Sequence, residues 1–517
     1  MTILKGRSGE ISLSAVAPIA PTQTFISGSK RDLIALLLLV LLGLGLRLYA
    51  LDSQGFFIDE IYSVLVARGD ADPELMVFDS IRPLYFALLG AWMHLGQSEL
   101  WLRLPSVVFG VLNIALTYCL GKVSAGNRVG LAASLLMALS PLEVHYSQQA
   151  RMYTMGSFLA LASSLSLILA WRKQSLLALF CWGLSRVLMI WTLPLAAVLL
   201  VVDLCLSLCL HRKEKLLAPF ALVFAMVCLG SLVFAWKMPL ISMFNAYDAW
   251  RGTLPVPGLL EMIMVPVNFT SCAGPIQECL GPQEGGPLAV LYSVCLLGLF
   301  VLASASLKNN KDLLYSIFWA CLTVLFAWAV SQLGTCFLIV RYLLFAAPYA
   351  FIVVAAGFDF LCGKSRLAAA LLSLLYFYIV PLNLYSLAGH PVHEDWRLAA
   401  RYVERNEKSG DTILVWTYHS NYVWNFYYHG SNRERVKDFQ INLPEAGKEL
   451  QVGALDADNK LHPIKGRTWI VIRQSIKNWD RDWKIYQSVL AHLKEKYRLL
   501  KCEPVTKLDV ILLEERK

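Results

Sequence analysis

The chain has 517 residues, 57% hydrophobic and 16% charged, with a net charge of +9 and mean hydropathy +0.54. Soluble domains average about 45–50% apolar and about 25% charged residues, so this balance excludes a soluble globule, a disordered chain and a small disulfide scaffold. The segment 389–517 alone carries 40 of the 83 charged side chains, which predicts a polytopic membrane protein with a polar C-terminal part.

Residues 1–32 are polar and show no apolar signal-peptide core or small-residue cleavage site, so they read as a cytoplasmic tail ahead of an uncleaved anchor. A spanning helix needs about 20 apolar residues. Runs that meet or approach this length lie at roughly 33–50, 104–121, 129–146, 154–171, 175–192, 193–210, 216–237, 287–306, 313–331, 340–361 and 367–387, which predicts about 11 spans. The stretch Leu84–Leu95 is too short to cross and reads as an interfacial helix.

That choice puts Lys30, Arg31, Lys122, Arg128, Arg172, Lys173, Arg212, Lys213, Lys215, Lys308, Lys311, Lys364 and Arg366 on one side. Such a face is cytoplasmic under the positive-inside rule. It also accounts for the basic excess, so no nucleic-acid partner is expected and the bilayer is the primary one. The opposite side receives the acid-rich loop 51–103, the loop 238–286 and the tail. The expected organisation is therefore a cytoplasmic tail 1–32, a membrane domain 33–388 and an extracytoplasmic α/β domain 389–517.

Within the tail, helical spacing is predicted over Trp396–Asn406 and near Trp483–Tyr497. Strands are predicted at Thr412–Trp416, Thr468–Arg473 and Leu508–Glu514, with 430–466 irregular. The tail is expected to fold alone, to shape acceptor access and to carry no catalytic group.

There is no GxxxxGK[ST] loop, no GxGxxG after a strand and no CxxC pair, so nothing indicates a nucleotide, dinucleotide or zinc site. The polar residues that stand out gather on the outer side. Asp59 and Glu60 follow the first span in an aromatic setting, where partial desolvation would suit a carboxylate to general-base work. Asp79 and Arg82 precede Pro83, a residue favoured in the first turn of a helix. Arg151 lies in the polar, aromatic connection Ser140–Tyr153, Arg341 opens a later span, and Arg186 lies in the outer half of another. Arginines converging on one face would make an anion site, most naturally for phosphate. Cys272 and Cys279 share an outer loop and could form a disulfide. His390, His393, Glu394 and Asp395 could bind a metal but straddle a proline at a span exit, and read as a flexible junction.

Several of these strings carry a resemblance: Asp59-Glu60 after the first span, Pro83-Leu84-Tyr85, Arg103-Leu104-Pro105-Ser106, Ser140-Pro141, and Tyr146-Ser147-Gln148-Gln149-Ala150-Arg151-Met152-Tyr153. Together they resemble the GT-C membrane glycosyltransferases, in particular the bacterial branch related to protein O-mannosyltransferases and the aminoarabinose transferase of lipid A. The similarity is strong over about 50–155 and returns at Arg341-Tyr342 and Glu394–Arg397. It implies an inverting hexosyl- or pentosyltransferase that uses a polyprenyl-phosphate-linked sugar as donor and an unspecified lipid, polysaccharide or protein as acceptor, in a bacterial inner membrane.

By the same resemblance Asp59 would be the base with Glu60 beside it, and Asp79 a second acid. Arg151 and Arg341 would hold the donor phosphate, with Arg82 standing in where the family often has His or Lys. Gln149 departs from the family's frequent Glu. No cofactor is demanded, and a divalent cation is left open. The competing readings are a transporter or flippase, for which paired repeats would be expected, and a non-catalytic scaffold.

Overall fold

The computed structural model describes residues 29–71, 82–236, 255–271, 286–307, 310–334, 336–389, 393–416, 420–442, 451–455, 461–473 and 480–516. Asp79, Cys272 and Cys279 lie outside them.

Helix α1 (Lys30–Leu48) is followed by the short α2 (Ile58–Arg68) and α3 (Pro83–Met93), then by α4 (Glu99–Ala125). At 1.5 Å per residue the 11 residues of α3 reach about 16 Å, far short of a bilayer core of about 30 Å. Its Tyr85, Phe86, Leu89 and Met93 are buried. Next come α5 (Asn127–Leu139) and α6 (Pro141–Ser147), bent by 59° where Ser140 caps α6 and Pro141 begins it. Helices α7 (Tyr153–Lys173), α8 (Leu176–Ile190), α9 (Val198–Leu210), α10 (Leu217–Trp236), α11 (Leu259–Ser271), α12 (Gly286–Ser306) and α13 (Leu313–Ser331) follow. A 3₁₀ segment, Val340–Ala346, leads into α14 (Ala347–Lys364) and α15 (Arg366–Gly389).

Seven of these helices are long and apolar enough to cross a membrane, or eight if the bent α5–α6 pair is one span. Of the other predicted spans, α1 has 19 residues, α8 has 15, and α9 reaches 17 only with the 3₁₀ turn that precedes it. The protein is an integral membrane protein built mainly of helices.

The tail contains α16 (Trp396–Asn406), β1 (Thr412–Trp416), α17 (Ser420–Tyr427), β2 (Val436–Asn442), β3 (Gln451–Leu455), β4 (Leu461–His462), β5 (Thr468–Arg473), α18 (Asp480–Lys496), β6 (Tyr497–Val505) and β7 (Leu508–Glu515). The strands form one mixed sheet in the order β4-β3-β2-β1-β5-β7-β6, with β1 parallel to both β2 and β5. The irregular stretch expected over 430–466 therefore contains three strands. Charged residues interrupt β2 (Val436-Lys437-Asp438-Phe439), and it is the parallel pairing with β1, Ile413 opposite Val436, that makes it a strand.

Side chains alternate across the sheet, as the two-residue period of a strand requires. Leu414, Ile470, Ile472, Ile511 and Leu513 pack with Tyr486, Val489 and Leu493 of α18. Ile413, Val415, Trp469, Val471, Val510 and Leu512 face the other way, against Trp396, Val403, Val423 and Trp424, and this layer is continuous with the core of the membrane helices. Polar clamps reinforce the junction: Arg397 Nη1 donates to Glu99 Oε2 at 2.8 Å, and the Tyr427 hydroxyl donates to Glu99 Oε1 at 2.8 Å.

Candidate active site

Asp59 and Glu60 sit in the first turn of α2, where the helix dipole favours negative charge. Consecutive helical residues point about 100° apart, so the two carboxylates serve different surroundings. Glu60 turns inward and is buried. Its Oε2 accepts from Arg103 Nη2 at 2.7 Å and from the Phe57 amide at 3.3 Å. Its Oε1 accepts from Arg103 Nε and the Ala150 amide, both at 2.8 Å. Arg103 also donates to the carbonyls of Leu51, Gln54 and Gly55. One bidentate pair thus fixes the first-loop backbone, α4 and the 149–151 connection around the start of α2.

Asp59 turns outward, with its side chain 27% exposed, and its Oδ2 lies 4.0 Å from Nη1 of Arg341, itself 20% exposed. Arg151 approaches the same turn: its Nη1 donates to the Asp59 carbonyl at 2.8 Å and to Ser63 Oγ at 3.0 Å. Arg82 is the buried residue that caps α3. The Arg151 guanidinium lies over the ring of Tyr153, which opens α7, 6.0 Å from its centroid. The third arginine expected on the same face, Arg186, is elsewhere. Its guanidinium is fully buried against Asp203 and takes no part in this face.

Behind Glu60 lies a second polar group. The Gln149 amide donates to His145 Nε2 at 2.6 Å and to His393 Nε2 at 3.4 Å, so both imidazoles accept and are neutral. The His393 ring stacks on Phe57 with centroids 3.8 Å apart and planes 6° apart. These residues line a cavity of about 130 Å³ together with Leu46, Val144, Leu384 and Leu387. His393, expected in a flexible junction, is thus fixed in place. A Glu at position 149 could not donate to both rings. Among the described residues, no group of three or more His, Cys, Asp or Glu side chains is placed to hold a metal ion.

A family model described as dolichyl-phosphate-mannose-protein mannosyltransferase matches residues 81–236. Among solved structures, the fold is similar to that of ArnT from Cupriavidus metallidurans bound to undecaprenyl phosphate, with 13% identity, 92% of this chain and 97% of that chain covered, and a TM-score of 0.56. The resemblance to GT-C membrane glycosyltransferases holds.

The apo state of the same ArnT gives a TM-score of 0.53 at 13% identity over 93% of this chain and 98% of that one. The apo oligosaccharyltransferase of Archaeoglobus fulgidus gives 0.52 at 13% identity over 78% of this chain, which spans 64% of that protein's length. At such identities the likeness is one of fold. No curated protein matches the sequence.

Of the residues expected to carry chemistry, Asp59, Arg151 and Arg341 meet at the first turn of α2, whereas the Glu60 carboxylate is paired with Arg103. In the sequence Arg103 stands out only as part of the string Arg103-Leu104-Pro105-Ser106. The usable signal was an arginine at the outer end of a span, where the positive-inside rule does not call for one. His145 comes from α6, Gln149 from the α6–α7 connection and His393 from the start of the tail, so no local pattern announces their cluster.

Proposed function

We propose that the chain is an inverting glycosyltransferase that moves a hexosyl or pentosyl group from a polyprenyl-phosphate donor to an acceptor on the extracytoplasmic side. The observation that carries this reading is the outward Asp59 carboxylate set 4.0 Å from Arg341, with Arg151 bonded to the Asp59 backbone. Asp59 takes the proton of the acceptor hydroxyl as the acceptor oxygen bonds to the anomeric carbon. The bond from that carbon to the phosphate oxygen breaks on the opposite face, which inverts the centre. The departing phosphate gains negative charge, and Arg151, Arg341 and Arg82 supply the positive field that stabilises it. Glu60 is a positioning residue, and Asp79 is retained as a second acid of the first loop.

The accompanying topology counts eleven crossings. To the seven long helices it adds α1, the α5–α6 pair, α8, and α9 with its preceding 3₁₀ turn. The N-terminus is then cytoplasmic, and residues 389–517 form an extracytoplasmic domain of a bacterial inner-membrane protein. The distribution of Lys and Arg supports this orientation. The membrane-embedded lipid phosphate donor is supported by the absence of a nucleotide-binding loop from the sequence and by the undecaprenyl phosphate bound in the ArnT structure.

The test is transfer of labelled sugar from a polyprenyl phosphate by purified protein in detergent, with Asp59→Asn as the control. Transfer by the wild type and its collapse in folded Asp59→Asn are expected. Undiminished transfer by that variant would overturn the assignment of Asp59.

A further inference from the structure

Residues 51–57 lead from α1 into α2 as turns and irregular chain, so their carbonyls depend on partners from elsewhere. Two guanidinium groups take five of them in succession. Arg103 of α4 donates to Leu51, Gln54 and Gly55 at 2.8–3.2 Å. Arg397 of α16 donates to Asp52 and Ser53 at 3.3 and 3.4 Å. Arg103 belongs to the membrane helices and Arg397 to the tail, so this short segment is held from both parts of the molecule.

The end that enters α2 is held by Tyr427, the last residue of α17. Its hydroxyl accepts from the Phe56 amide at 2.5 Å and donates to Glu99 Oε1 at 2.8 Å. A phenol can do both at once, because it carries one proton and can also accept. Phe56 is fully buried and directly precedes Phe57, the N-cap of α2. The packing is close: a methyl group added at Gly55 would lie 2.9 Å from Arg397 Cβ and 3.2 Å from Tyr427 Oη. Aromatic contacts extend the same seam. The Phe56 and Phe426 rings stand 6.1 Å apart, and Tyr62 of α2 meets Tyr422 of α17 edge-on at 6.1 Å.

Asp59 lies two residues beyond the cap. Its separation from Arg341 and the bond from Arg151 to its carbonyl both depend on where α2 starts and how it is aimed. The Glu60–Arg103 pair fixes the inner side of that first turn. The chain entering it is fixed from the tail, through the Phe56 amide. We propose that Tyr427 is a positioning residue for sugar transfer: its hydroxyl sets the start of α2 and so the direction in which Asp59 faces the acceptor. This rests on the reading of Asp59 as the base. Tyr427 itself reaches no reacting atom, and the tail acts on the chemistry only through the first-loop backbone.

The test uses full-length protein in detergent and two matched variants. Tyr427→Phe keeps the ring and removes the hydroxyl that joins Phe56 to Glu99. Tyr428→Phe removes the neighbouring hydroxyl, which bonds within the tail, donating to Glu407 and accepting from the Asn432 amide. Hydrogen exchange at the Phe56 amide should be about tenfold faster in Tyr427→Phe, the effect of losing one hydrogen bond, and unchanged in Tyr428→Phe. In the transfer assay Tyr427→Phe should lower kcat roughly ten- to hundredfold, the size expected when a reacting group is displaced by about 1 Å. Donor KM should be unchanged, because Arg82, Arg151 and Arg341 all lie outside α2. Tyr428→Phe should transfer at the wild-type rate.

Unchanged kcat in folded Tyr427→Phe would overturn the proposal. Equal losses of kcat in the two variants would also overturn it, by reducing the effect to the stability of the tail. A wild type that transfers no sugar would overturn the proposed function instead. Exchange would then decide separately: faster exchange at Phe56 in Tyr427→Phe alone would support the tail's hold on α2, and unchanged exchange would overturn it.

Discussion

Two arginine–aspartate pairs in this molecule make opposite use of the same chemistry. Arg186 of α8 and Asp203 of α9 are fully buried among the helices. Asp203 Oδ2 accepts from Arg186 Nε and Trp182 Nε1, and its Oδ1 from Arg186 Nη2 and Trp319 Nε1, at 2.9–3.2 Å. Arg186 also donates to Ser164 Oγ, which shares a hydrogen bond with the Tyr349 hydroxyl. Five helices, α7, α8, α9, α13 and α14, are tied by one network that offers no access to a ligand. Arg341 and Asp59 stand 4.0 Å apart at the partly exposed face, a loose ion pair that solvent can reach. The closed pair holds helices together where a lone charge would be intolerable. The open pair is the one the proposed function assigns to substrate.

If this contrast is right, the two sites respond differently to substitution. The largest effect belongs to Asp59→Asn. Loss of the general base costs about 10²–10⁴-fold in turnover, measured as kcat for sugar transfer, with the melting temperature unchanged. Second in size is Asp203→Ala, which leaves Arg186 buried without its counter-charge and should destabilise by about 3–5 kcal/mol. It would be read as lost yield and lowered melting temperature, the surviving protein keeping its specific activity. The double substitution Arg186→Met with Asp203→Leu sharpens the point, because an apolar pair of similar bulk should recover most of that stability. Failure to recover would mean that the network does more than hold helices.

Arg151→Ala comes next. It removes a charged hydrogen-bonding group from the phosphate face, so donor binding should weaken roughly ten- to hundredfold, visible in donor KM and by direct titration. Unaltered donor affinity would remove Arg151 from the phosphate clamp. The smallest effect is expected for Arg397→Ala, which breaks the partly exposed contact with Glu99. About 1 kcal/mol should appear as earlier proteolysis of the tail, with transfer by the membrane part retained. Complete loss of transfer would show that the tail's placement is part of the chemistry.

Much of the architecture was legible beforehand because its signals are local. Apolar runs of spanning length located the long helices, and the shortness of the run Leu84–Leu95 separated α3 from them. In the tail, β1, β5 and α16 lie where period-two and helical spacing put them, since each buries a regular pattern of its own residues. Strand β2 escaped because its own pattern is interrupted by charge and its partner, β1, lies on the far side of α17 in the chain.

The site divides along the same line. From the sequence alone, acids and arginines are expected to gather on one side of a membrane bundle, because hydropathy suggests which segments cross and charge bias which loops share a face. It could not rank Asp59 against Glu60, adjacent residues of the same chemistry. Tertiary structure decided that. The step of about 100° between helical neighbours sends Glu60 into the path of Arg103 on α4 and leaves Asp59 facing Arg341, which the chain supplies only just before α14. It decided likewise that Arg186 pairs with Asp203 inside the bundle and that His393, at the start of the tail, stacks on Phe57 of the first loop. Each outcome depends on which distant elements pack together, and burial energy sets that only for the chain as a whole.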